Sequence, residues 1–207
     1  MPKWTPKKVW NGEDVYIIGG GKSLEHFDWA LLKDKRTIGC NDAFKLGIDI
    51  CKVCIFGDID WFRFWKDSLA KYKGTVFTNV PSLSKSVVPW LWTTIRPSSG
   101  LYADYIAWNS STGAAAISLA VLLGAKKIYL LGFDMKLDKD GKNNWHVNNI
   151  NKPNPEVFPK FISGMNFVKR DLTKFDGVEV FNVTDDSDLN VFPKISLKSF
   201  WSERKVA

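Results

Sequence analysis

The sequence has no apolar run long enough to span a bilayer. Residues 1–8 also lack the apolar stretch of a secretory signal and lead straight into a first strand, so a cytoplasmic setting is expected. Cysteine is scarce and odd in number, with Cys40, Cys51 and Cys54 alone. The last two spell C-x-x-C, but the motif enters a predicted strand instead of opening a helix, and no second Cys/His pair completes a zinc site. Free thiols, buried or half-buried, are the expectation. Histidine is scarcer still, with only His26 and His146. No low-complexity tract or fixed-period repeat occurs, which excludes repeat architectures.

What is present is an ordinary globular composition over 207 residues, enough for one sizeable core and read as one domain, 1–207, with a lid. The net charge of +7 comes from scattered lysines, small clusters at Lys7-Lys8 and Lys126-Lys127, and a basic tail over 194–205. Surplus positive charge suits an anionic partner: a nucleotide, a nucleic acid or an acidic glycan. Ten tryptophans are more than one core of this size hides comfortably. Some are therefore expected at a ligand cleft or at the interface of a homo-oligomer.

Short β-branched runs alternate with stretches whose apolar residues recur at three and four. The pattern predicts strands at 15–18, 36–40, 53–56, 75–78, 127–131 and 178–182, and helices at about 24–33, 61–71, 112–123 and 155–173. This is an α/β, Rossmann-like arrangement, a mainly parallel sheet with helices on both faces. Two stretches resist it. Residues 81–111 carry prolines, serines and Trp90-Leu91-Trp92, and imply an extra strand or a mobile cover. The stretch 135–155 is polar and follows a strand, as a mobile lid over a ligand crevice would.

Two loops of small residues, at Gly19-Gly20-Gly21-Lys22-Ser23 and Ser111-Thr112-Gly113, stand at the mouths of predicted helices and offer backbone N–H groups to an anion. The first is not a P-loop, because Tyr16 occupies the position of the required leading glycine. It also lacks the third glycine of the dinucleotide fingerprint, since Leu24 stands there. It remains a flexible turn with Ser23 as N-cap, able to touch a phosphate or ribose. Asn41 follows the second strand and is placed either to bond a nucleotide's ribose or a sugar, or to cap the next short helix. Asp58 and Asp60 spell D-x-D, which either binds Mg²⁺ or Mn²⁺ on a diphosphate or ends a strand and caps a helix. His146, in the polar loop, has the chemistry of a general base near neutral pH, although a lone loop histidine often has no role.

The segments YIIGGGKSLEHFDW, GCNDAF, SSTGAAAISLAVLLGAKKIYLLGFDM and FNVTDDSDLNVF, with a loop histidine between the last two, resemble bacterial sialyltransferases that modify lipooligosaccharide. They are also similar to a wider group containing flagellin-modifying Maf proteins, the archaeal hydroxymethylpterin diphosphokinase and small bacteriophage proteins. The resemblance runs along most of the chain but leaves 57–109 unmatched. It implies a nucleotide-dependent glycosyltransferase using a CMP- or UDP-linked sugar. In it Gly19, Gly20, Gly21 and Ser23 face the phosphate and Asn41 the donor. Ser111, Thr112 and Gly113 hold nucleotide or sugar at a helix N-terminus, with Asp134 beside them. His146 deprotonates an acceptor, and 182–188 border the base or ribose. Tyrosines that stabilise the leaving phosphate in those enzymes have only Tyr102 and Tyr105 as counterparts nearby. Those transferases work without metal and have no acidic pair where Asp58 and Asp60 stand, whereas the diphosphokinase branch is Mg²⁺-dependent. Three readings therefore stay open: a glycosyltransferase acting on a glycan or modified nucleic acid, a Mg²⁺-dependent diphosphokinase, and a non-catalytic phage protein binding nucleotide or DNA in the host cytoplasm.

Overall fold

The computed structural model of the chain describes residues 6–83, 88, 90–147, 150 and 153–204. The first five residues, Lys205 of the basic tail, and parts of the expected cover and lid (84–87, 89, 148–149, 151–152) lie outside the described residues. Seven strands form one sheet: β1 (Asp14–Ile18), β2 (Arg36–Cys40), β3 (Val53–Phe56), β4 (Thr75–Thr78), β5 (Leu91–Thr93), β6 (Lys127–Leu131) and β7 (Glu179–Asn182). The spatial order is β5-β4-β3-β2-β1-β6-β7, and every neighbouring pair is parallel. Ile18 thus lies opposite Gly39 of β2 on one side and Leu131 of β6 on the other.

The strands read as continuous apolar runs because both faces are covered. Val15 and Ile17 point into a core shared with α2 (Thr112–Leu123) and α3 (Phe158–Leu172). Tyr16 and Ile18 point the other way, onto Phe200 and Trp201 of α4 (Leu197–Arg204). On that second face Cys54 and Phe56 pack against Trp61, Phe62 and Leu69 of α1 (Ile59–Lys71). The three cysteines are buried and free, and burial pushes the Cys51 thiol up to about 11.

Helix α2 is apolar all round, and its residues from Gly113 to Leu123 are all buried. Its small first turn permits close approach, since a Cβ on Gly113 would stand 2.5 Å from the Phe133 ring. Ser111 caps its start by accepting from the Ala114 N–H, and Gly124 ends it at φ +97°, a left-handed turn suited to glycine.

The expected helix at 24–33 does not form. Two short 3-10 turns, Lys22–Leu24 and Trp29–Leu32, replace it. Asp28 accepts from the Ala30 N–H and starts the second turn afresh, and Ser23 is drawn away from capping by a partner on another loop. His26 consequently sits between the turns in solvent, not inside a helix. The expected extra strand in 81–111 is β5, at the sheet edge. The helix at 155–173 divides into a 3-10 turn, Pro155–Val157, and α3.

Candidate functional site

The chain winds outward from β1 through β2 to β5 on one side and through β6 and β7 on the other. The crevice beyond the carboxyl ends of β1 and β6 is therefore the topological switch point of the sheet. Of the nine expected donor-contact residues, all but Ser23 line one cleft there. Gly19, Gly20 and Gly21 come from the end of β1, Asn41 from the end of β2, Ser111, Thr112 and Gly113 from the start of α2, and Asp134 from the end of β6. The cleft also takes Lys136, Asn143, Asn144, Phe158 and Phe161.

The glycine loop is built differently from the expected bare anion cradle. The Gly19 N–H donates to Leu131 O and the Gly21 N–H to Gly132 O, both at 2.8 Å, so β1 and β6 stay stitched beyond the sheet. Ser23 donates its N–H and hydroxyl to the Asp134 carboxylate at 2.9 and 2.6 Å. Burial raises the Asp134 carboxyl above its usual value, against the Ser23 hydrogen bonds that hold it down. A Cβ on Gly21 would stand 2.1 Å from Asp134 Oδ1, so the glycine supplies room for the carboxylate. One on Gly20 would meet Asn144 Oδ1 at 2.7 Å, so this glycine admits the 143–146 loop. Trp145 pins that loop, donating its N–H to Gly20 O and its indole N–H to Gly19 O, both at 2.9 Å.

Backbone strain gathers around the cleft. Five described non-glycine residues have positive φ, and four of them (Asn41, Asn109, Ser110 and Met135) sit at strand ends or loops around the cleft or leading into α2. Asn41 also keeps its buried Oδ1 without a hydrogen-bond partner among the described residues. A buried acceptor left open at a strained position beside a cleft is fitted to a ligand donor. The Asn109 amide bonds Gly100 N and O at 2.7 and 3.0 Å, holding the approach to α2. Thr112 and Gly113 carry first-turn N–H groups of α2, for which no partner is found among the described residues, and both residues line the cleft.

His146 stands at the rim, not among the lining residues. Its Nε2 is 3.9 Å from the position a Gly20 Cβ would take, and its Nδ1 is 3.3 Å from Val147 O and 3.5 Å from Asp42 Oδ2. Burial lowers the imidazole below the usual histidine value, while the Asp42 charge opposes this, and the balance favours the neutral ring. Lys136 is held by Asp186 and lies 3.8 Å from Asp188. The expected border at 182–188 thus acts as a brace: Thr184 and Ser187 bond the Phe133 backbone, and the Asp188 N–H donates to Asp134 O.

The D-x-D pair lies elsewhere. Asp58 caps α1, accepting from the N–H groups of Asp60 and Trp61, and Asp60 pairs with Arg63 in solvent. Both line a separate hollow with Arg96, whose guanidinium lies 3.9 Å from the Trp108 ring centre. Among the described residues no group of three or more His, Cys, Asp or Glu converges as metal ligands, and the two carboxylates are engaged as a helix cap and an ion pair outside the cleft. The double substitution Asp58→Asn with Asp60→Asn is expected to leave nucleotide binding unchanged, because neither residue reaches the cleft. Stability should shift by less than about 0.5 kcal/mol, asparagine being as good a cap. Loss of binding, restored by Mg²⁺ in titrations of the variant, would contradict this placement.

Tyr102 and Tyr105 pair with each other at 6.3 Å and do not line the cleft. No described tryptophan lines it either; Trp108 lines the hollow beside Asp58, while Trp90 and Trp92 are partly exposed near the sheet edge. The aromatic lining is Phe133, Phe158 and Phe161. The sequence reading missed the last two, along with Asp42 and Lys136. Asp42 was adjacent to a residue singled out, and the others carry no local signal.

Neither a family model nor a curated protein sequence matches the chain, so the wider resemblance to Maf and bacteriophage proteins has no sequence match behind it. Solved structures do match. The sialyltransferase CstII from Campylobacter jejuni, solved with the substrate analogue CMP-3FNeuAc, is similar with a TM-score of 0.54 at 14% identity, covering 88% of this chain and 85% of that one. The chain shares its α/β fold with this sialyltransferase structure. The CstII structure with cytidine-5′-monophosphate gives a TM-score of 0.57 at 15% identity over 89% and 85% of the two chains. An α-2,3-sialyltransferase from Campylobacter jejuni in apo form gives 0.52 at 20% identity over 89% and 80%. Among the described residues no helix is long and apolar enough to cross a membrane.

Proposed function

We propose that this protein is a metal-independent glycosyltransferase using a CMP-linked sugar. The observation that carries the reading is the meeting, at one switch-point crevice, of the open N-terminus of α2, the Asn41 acceptor left open among the described residues and a half-buried histidine at the rim. The nucleotide phosphate lies against the Thr112 and Gly113 N–H groups with Lys136 opposite, where a helix end and a cation stabilise negative charge. Asn41 accepts from a donor hydroxyl or amino group, and Phe158 and Phe161 give apolar surface to the base or sugar. An acceptor hydroxyl loses its proton to His146 Nε2 as its oxygen bonds the anomeric carbon. The bond from that carbon to the phosphate oxygen breaks, and its electron pair leaves with CMP. The likeness to CstII, solved with CMP and with a CMP-sugar analogue, supports the choice of nucleotide.

Thermal unfolding with CMP, UDP, GDP, ATP and DNA, each with Mg²⁺ and with chelator, tests it. CMP at a hundred times its Kd should add about 2.7 kcal/mol, a rise in Tm of roughly 5–11 °C, undiminished by chelator. Stabilisation by ATP only with Mg²⁺, or by DNA alone, would reject it.

A further inference from the structure

We propose that Asp42 is a positioning residue that holds the proton of neutral His146 on Nδ1, leaving Nε2 free as the acceptor of a proton. The inference deepens the transferase reading and rests on it for its catalytic meaning, though not for its geometry. His146 Nδ1 faces two oxygens, Val147 O at 3.3 Å and Asp42 Oδ2 at 3.5 Å. A backbone carbonyl accepts only, and so does an ionised carboxylate, so the ring nitrogen between them carries hydrogen. The other nitrogen points toward Gly20 and the cleft side of the ring.

Asp42 is itself fixed. It lies in the 3-10 helix Asn41–Leu46 that leaves β2, is 5% exposed, and accepts the Trp61 indole N–H of α1 at 2.6 Å through Oδ1. Its Oδ2 pairs with Lys45. The carboxylate therefore has one oxygen clamped by tryptophan and the other turned to lysine and histidine. Among the described residues Lys45 is the other charged group acting on the ring, and it opposes protonation. The glycine loop contributes only Gly20, and the histidine's own loop contributes Val147 and the Trp145 ring, 4.9 Å away and nearly perpendicular.

Asp42→Asn gives a sharp contrast because the amide can keep its oxygen on the Trp61 N–H. Its NH₂ then faces His146 Nδ1, and a donor there favours the opposite tautomer, with Nε2 protonated. Since the chain has only two histidines and His26 is exposed, ¹⁵N-histidine NMR resolves the ring, with His146→Gln identifying its signals. The wild-type protein above its titration midpoint should show a protonated Nδ1 and an unprotonated Nε2. The folded Asp42→Asn variant should show proton density moved to Nε2 and a lower midpoint, because an opposing negative charge is gone. With CMP-sugar donor, kcat should fall about a hundredfold with donor KM little changed. A wild-type His146 protonated on Nε2 would overturn the proposal without need of any variant. So would an unchanged tautomer and midpoint in folded Asp42→Asn. Failure of the transferase reading would show separately, as absence of CMP binding with the tautomer result intact.

Discussion

His146→Ala is expected to lower glycosyl transfer by about a hundredfold or more while leaving CMP affinity within a few-fold of the wild type. The asymmetry follows from position. The lining contacts come mostly from the ends of β1, β2 and β6, the start of α2 and the first turn of α3; the 143–146 loop adds Asn143 and Asn144, and His146 only borders them. Its loop stays anchored without the ring, since Trp145 supplies both bonds to Gly19 and Gly20. Burial lowers the imidazole, so the acid limb of kcat/KM in the wild type should be centred below 6.5. The same shift acts on stability. Between the lowered folded value and the ordinary value the unfolded chain binds more protons, so stability falls as pH drops through that window. His146→Ala should remove this part of the pH dependence of Tm. Transfer surviving the substitution, or donor affinity collapsing with it, would take the base assignment away from His146.

Gly21→Val is expected to remove CMP binding and to destabilise the fold by about 3 kcal/mol, roughly 6–12 °C in Tm. The residue looks from sequence like an exposed loop tip, where valine would spare the fold. It is buried, with φ −57° and ψ 144°, angles open to any residue. The obstacle is space: the added Cβ would stand 2.1 Å from Asp134 Oδ1 and 2.5 Å from the Gly132 carbonyl. The carbonyl belongs to the backbone that accepts the Gly21 N–H, so it cannot yield without breaking the seam between β1 and β6. The displaced Asp134 would release Ser23 as well. Calorimetry and CMP titration check both effects. A variant melting within a degree of the wild type and binding CMP normally would show that the Gly21–Asp134 packing does not shape the cleft.

The sequence by itself determined the parts whose cause is local. Apolar runs such as Lys127–Leu131 and Arg36–Cys40 are parallel strands at the expected residues, because a strand buried on both faces must be apolar throughout. Helix α2 begins and ends where Ser111 and Gly124 dictate, since caps act on neighbouring backbone. The two small-residue loops were legible for the same reason, since glycine directly follows β1 and small residues open α2. Tertiary structure decided everything that depends on who meets whom. Only the order β2-β1-β6 brings Asp134 to Ser23, 111 residues away, and turns a would-be helix cap into a seam. Only the folding of the 143–146 loop back over Gly20 sets His146 beside Asp42. D-x-D reads alike whether it holds a metal or starts a helix, and only the structure shows that the first N–H groups of α1 take Asp58 as their cap. Local propensity acts over a few residues. The contacts that make this site span a hundred, and no pattern along the chain encodes their distance in space.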